Sequence, residues 1–128
     1  VHRSQHHSLL RMISLTSTTD KLQAFLSGAA ATTNPTVVVH YHIVQTNEKL
    51  STGEYPRGKQ STVLAGATET DILDAPDQNE CYHVDSANIY NADTAAVTVT
   101  VCIDENGTNR ILLKVTLGVG HTLHGEFI

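Results

Sequence analysis

The stretch Ala95–Leu117, AAVTVTVCIDENGTNRILLKVTL, decides the fold. Its first half alternates: Val97, Val99, Val101 and Ile103 fall on one side, and Thr98, Thr100 and Cys102 on the other. Successive side chains of a strand point to opposite faces, so this spacing predicts a strand with an apolar face turned in and a Thr/Cys face turned out. Asn106-Gly107 then interrupts the pattern. Both residues tolerate the positive φ values of a two-residue hairpin turn, so Arg110–Leu117 is expected to return antiparallel.

Working outward, Tyr82–Tyr90 reads as a strand and Asn91–Thr94 as a tight turn. Gly118–Gly120 turns again, and His121–Phe127 closes the sheet. These four strands are expected to form an antiparallel meander. Further upstream, VVVHYHIVQ (37–45) places Val37, Val39, Tyr41 and Ile43 on the core face and Val38, His40, His42 and Val44 on the other. The segment beginning at Met12 is a strand to about Ser17. DKLQAFL (20–26) is too short for an isolated helix and reads as a strand. Val63–Leu64 and Asp71–Leu73 mark two short strands around Gly66, and Pro76 ends the second, because proline cannot donate to a ladder. Thr46–Gln60 (TNEKLSTGEYPRGKQ) is polar, broken by Gly53, Pro56 and Gly58, and expected to be a long exposed loop.

The resulting expectation is an all-β chain. Residues 12–128 form a single antiparallel β-sandwich, jelly-roll-like, of about eight strands. Residues 1–11 lack period-2 patterning and read as an extended N-terminal arm. The length of 128 residues suits one domain, and 40% apolar residues suffice for a core. No stretch approaches the roughly 20 apolar residues of a membrane helix, and the run at Leu9-Leu10 is too short for a signal core. The expectation is therefore no membrane partner.

Charge is unevenly spread. Eight Lys and Arg face 13 Asp and Glu, a net of −5, which argues against a nucleic-acid partner. Arg3, Arg11, Lys49, Arg57 and Lys59 lie in the arm and the 46–60 segment, whereas Asp71, Asp74, Asp77 and Glu80 cluster later. Neither basic segment can bury much apolar surface alone, so ordering it needs something to lie against. Neighbouring copies are expected to supply it. Leu9, Leu10, Arg11, Lys49, Leu50, Tyr55, Arg57 and Lys59 are the interface candidates, with apolar side chains anchoring and charges setting register.

The segment NIYNADTAAVTVTVCIDENGTNRILLKVTLGVGHTL resembles a β-sandwich module of tailed-bacteriophage structural proteins. The matching pieces are Tyr90-Asn91, the Ala92–Thr94 turn, the Ala95–Val101 strand, the Asn106-Gly107 hairpin, Lys114–Leu117 and Gly118–Gly120. Asp20-Lys-Leu-Gln23 and Ala31-Thr-Thr-Asn34 look like the start of such proteins. The resemblance implies a non-enzymatic virion component: a capsid decoration, a neck piece or a tail or fibre attachment. It would self-associate as a trimer or larger ring and bind other virion proteins, with no cofactor and no catalytic residues. The His-rich start (His2, His6, His7) departs from that pattern.

Two other readings compete. His40-Tyr-His42 places two imidazoles on one strand face, as in a metal-dependent cupin-like jelly roll, with His83, His121 or His124 as a third ligand. Glu48 lies further from His42 than that pattern requires, so surface or interface histidines are preferred and no metal is expected. A carbohydrate-binding sandwich would use exposed aromatics, and Tyr55 alone sits in the long loop. The acids Asp71, Asp74, Asp77 and Glu80, with Asn79, lack the ligand spacing of a calcium loop. Cys81-Tyr-His83 puts a thiol and an imidazole on one side of a strand, but a dyad is defined by geometry and a third orienting group, which a sequence does not display. Cys81 and Cys102 read as small apolar residues rather than a disulfide.

Overall fold

The computed structural model describes residues 4–9, 13–45 and 56–127; for 4–9, 126 and 127 it describes the backbone alone. The described residues form ten strands and no helix: β1 (Ser4–Leu9), β2 (Ile13–Leu15), β3 (Asp20–Leu26), β4 (Thr36–Gln45), β5 (Arg57–Val63), β6 (Thr70–Leu73), β7 (Glu80–Tyr90), β8 (Val97–Glu105), β9 (Thr108–Leu117) and β10 (Thr122–Phe127). They build a β-sandwich. One sheet has the order β1-β10-β7-β4-β5, with β2 also on β7, and the other the order β6-β3-β8-β9. All pairs are antiparallel except β1 on β10.

The core lies between the sheets, where the two inward alternations meet. Val37, Val39, Val84, Ile89 and Leu123 come from the first sheet. Leu22, Ala24, Leu26, Val97, Val99 and Leu117 come from the second. Each large side chain withdrawn from water here contributes about 1.5–3 kcal/mol. The expected hairpin is present: Asn106 (φ 52°) and Gly107 (φ 92°) both adopt positive φ, the requirement of a type I′ turn.

The expected meander is not formed. β7 and β10 lie side by side in one sheet, while β8 and β9 lie in the other. Alternation tells which side chains share a face but not which sheet a strand joins. The six residues from Asn91 to Ala96 carry the chain across the sandwich, and the β8–β9 hairpin packs opposite the strands that flank it in sequence.

The outward face of β8 also differs from expectation, since Cys102 is fully buried and Thr100 is 5% exposed. Long polar side chains cover that face. Gln23 donates from Nε2 to Asp71 Oδ1 at 2.7 Å, Lys21 lies 3.7 Å from Asp71, and Asn109 donates from Nδ2 to Glu69 Oε1 at 2.7 Å. A bulge opposite Val101/Cys102 turns Leu112 and Leu113 both toward the core.

Two segments expected outside the sandwich belong to it. Residues 4–9 of the arm are β1, paired in parallel along β10 of the same chain from Ser4↔Thr122 to Leu9↔Phe127. The arm's backbone thus lies against its own sheet. Arg57–Gln60, expected at the end of the polar loop, begin β5 on β4. Burial alternates along β5, with Gly58, Gln60 and Thr62 half-buried and Arg57, Lys59, Ser61 and Val63 exposed. Gly58 is required here: a Cβ would stand 2.7 Å from the Cζ and Oη of Tyr41. That ring is itself packed on Tyr82, with centroids 4.7 Å apart.

Candidate functional site

The outer face of the first sheet gathers the polar chemistry. His42 on β4 pairs across the ladder with His83 on β7, and the rings stack at 5.2 Å with an interplanar angle of 23°. A bulge in the β4–β7 register between His40 and Tyr41 leaves Asp85 as the extra residue on β7. His42 Nδ1–H donates to Asp85 Oδ1 at 2.9 Å, since a carboxylate only accepts. Ser14 on β2 lies 2.9 Å from His83 Nδ1. Burial lowers the His83 pKa, the neighbouring His42 lowers it further, and Asp85 opposes both. The lowered pKa favours the neutral ring, and Ser14 Oγ and His83 Nδ1 share one hydrogen bond whose donor is set by the ring tautomer.

This arrangement divides the roles that a catalytic triad joins. In a triad one imidazole bridges hydroxyl and carboxylate through its two nitrogens. Here the hydroxyl reaches one ring and the carboxylate the other. The result is a polar clasp across three strands, tying β2 to β7 and β7 to β4. Cationic residues border it, since His40 and His42 pair across the ladder with Lys59 and Arg57 of β5.

The other histidines lie apart. His124 on β10 is hydrogen-bonded through Nδ1 to Asn88. The His121 ring sits over Gly118 at the far turn, within 3.1 Å of where a Cβ would stand. The structure brings His83 to His42, whereas His40 is exposed and neither His121 nor His124 joins them. Among the described residues, no three His, Cys, Asp or Glu side chains converge as a metal cluster.

Cys81 and His83 share the sheet's outer side, but the polar partner of His83 is Ser14. Cys81 and Cys102 are both free thiols and stand on strands of different sheets. Burial raises the Cys102 pKa, and Glu69 and Asp104 raise it further, which keeps it an inert thiol.

A second polar centre lies at one pole of the sandwich and was read in the sequence as no more than a tight turn. Asn91 is fully buried. Its Nδ2 donates to the carbonyls of Ala95, Leu117 and Gly118, each at 3.1 Å, and its Oδ1 accepts the Asp93 N–H at 2.9 Å. The Asp93 carboxylate accepts the backbone N–H groups of Ala31, Thr32, Thr33 and Thr94 and the Thr32 hydroxyl. Burial pushes its pKa up, but those N–H donors outweigh burial and hold the carboxyl well below the usual range. These two side chains fasten three chain crossings together. The signal was an Asn-x-Asp, because short polar side chains take over backbone hydrogen bonds where a chain turns.

The interface candidates divide. Arg57 and Lys59 stand exposed on the edge strand β5. Leu9 ends β1 by its backbone. Leu10, Arg11, Lys49, Leu50 and Tyr55 lie outside the described residues, and with Tyr55 goes the aromatic of the carbohydrate reading. Asp71 and Asp74 have partners within the chain: Asp71 holds Gln23 and Lys21, and Gln60 on β5 bonds the Asp74 backbone N–H through Oε1 at 3.0 Å and reaches the Asp74 carboxylate at 3.4 Å. Thr62 reaches the Asp71 carbonyl at 3.4 Å, so β5 and β6 clamp one side of the sandwich. No family model, no curated protein and no solved structure matches this chain.

Proposed function

We propose that this chain is a non-enzymatic structural component of a multi-copy particle, of the kind found in bacteriophage virions. It associates with copies of itself and with other virion proteins, as a capsid decoration or a neck or tail attachment. The observation that carries the reading is where the sandwich leaves apolar surface. Val63 (61% exposed) and Ile111 (67%) stand on the edge strands β5 and β9, and Val119 (57%) on the turn that follows β9. Each of these two edges carries one large exposed apolar side chain beside unpaired backbone, which suits contact with further protein. The resemblance of residues 88–123 to phage β-sandwich modules supports the same reading. The polar centres fit it too, since the Ser14–His83, His42–Asp85 and Asn91–Asp93 groups serve as fastenings between strands.

Immunogold labelling of purified native particles tests the assignment. Gold at fixed positions on head, neck or tail is the expected result. Labelling confined to free protein, with clean particles, would overturn it.

A further inference from the structure

The four edge strands are not equivalent. β6 is four residues long and its pairing with β3 is irregular. β9 is paired to β8 through a bulge. β1 runs six residues in register along β10, with its backbone alone described. Among the described residues β5 has the longest unbroken register of the four, seven residues from His42↔Arg57 to Thr36↔Val63.

The direction of its backbone groups follows from two bonds. Leu64 N–H donates to the Pro35 carbonyl at 3.0 Å, and Ile43 N–H to the Pro56 carbonyl at 2.7 Å. Hydrogen-bonded pairs alternate along an antiparallel ladder, so Gly58, Gln60 and Thr62 spend their N–H and C=O groups on β4. Arg57, Lys59, Ser61 and Val63 therefore turn theirs outward, and the same four residues carry the exposed side chains. A further strand can be added to such an edge through backbone bonds alone.

We propose that β5 is a self-association edge, pairing antiparallel with β5 of a second copy across a two-fold axis at Ser61. This rests on the self-associating reading above and names the surface it uses. Charge selects the register. Only registers that set outward-turned residues opposite one another can bond. One of these places Lys59 against Lys59 of the other copy, and a second leaves the two lysines diagonal neighbours. With Ser61 opposite Ser61, each Lys59 instead lies opposite Val63, its methylene stem over an exposed apolar side chain. Like charges directly opposite are unfavourable, so the cations that would blunt this edge disfavour those two registers, and of the registers left the one centred on Ser61 keeps most of β5 paired. The contact joins the same surface of both copies and closes as a pair, so any larger ring needs a second interface.

The test is sedimentation of the full chain and of two variants altered on exposed side chains. Val63→Lys would oppose Lys59 of the other copy and is expected to weaken pairing about tenfold or more. The double variant Lys59→Glu/Val63→Lys would place opposite charges there and is expected to restore it. Circular dichroism should be the same for all three. If the full chain associates and Val63→Lys leaves that association unchanged, β5 is not the edge, while the particle reading stands. If Val63→Lys weakens association and the double variant fails to restore it, the Ser61 register is wrong. A full chain that stays monomeric at every concentration would overturn both the edge and self-association.

Discussion

Asp93 Oδ1 stands 2.8 Å from the backbone nitrogen of Thr32, a residue that precedes it by 61 positions in the chain. The bond joins the loop after β3 to the crossover between β7 and β8, and so holds the two sheets together at one pole. Asp93→Asn should lower the melting temperature at neutral pH, because an amide accepts fewer of these N–H donors and carries no charge. The pH dependence has a definite sign. The folded pKa lies below the unfolded value of 3.8, so the ionised carboxylate stabilises the fold above that value. The contribution is lost as pH falls below it. Melting curves of both proteins should therefore lie furthest apart near neutral pH and converge in strong acid.

His83 gives a second case of the same sign, closer to neutrality. Its folded pKa is lowered from 6.5, so in acid the unfolded chain binds a proton more readily than the folded one. Stability should be full above 6.5 and fall as pH drops from there toward the folded pKa. His83→Asn removes the titrating ring, and thermal melts of the variant should be flatter across that window. An equally steep decline in the variant would place the acid sensitivity elsewhere.

Gly58 and Tyr41 form a lock between β5 and β4. Gly58→Ala should cost about 1–3 kcal/mol, because the Tyr41 ring that must yield is already held against Tyr82. Tyr41→Leu would remove the ring atoms at fault. In urea titrations the double variant Gly58→Ala/Tyr41→Leu should therefore be more stable than the sum of the single losses implies.

Gly107 is required by backbone conformation alone. A Cβ there would meet no atom within 4 Å, but φ is +92°. Gly107→Ala should destabilise by roughly 1 kcal/mol or more through the backbone. Denaturant unfolding would show the loss, with the strand content of the folded state unchanged.

The strands richest in Val, Ile and Thr were legible in the sequence, and so was the Asn106-Gly107 turn. Each is set by neighbours a few residues away. Sheet membership was not legible, because β7 and β8 carry the same alternation whether they pair or face one another. Only the Val63 end of β5 was legible, because both faces of Arg-Gly-Lys-Gln are polar; the place of the rest comes from the β4 ladder and from Gln60 reaching Asp74. The clasp was half legible. His40-x-His42 showed a shared face, but the partner of His42 is fixed by register with His83 and by a bulge that brings in Asp85. Cys102 was placed on the correct face, and its burial comes with Gln23 as its ladder partner, which reaches on to Asp71 of β6.

The central claim is that this sandwich works by assembling. Its mass in solution tests that most directly, through sedimentation velocity of the intact chain over a wide concentration range. The account predicts reversible species at multiples of the 13.8 kDa chain, growing with concentration. A single 13.8 kDa species at every concentration would contradict it.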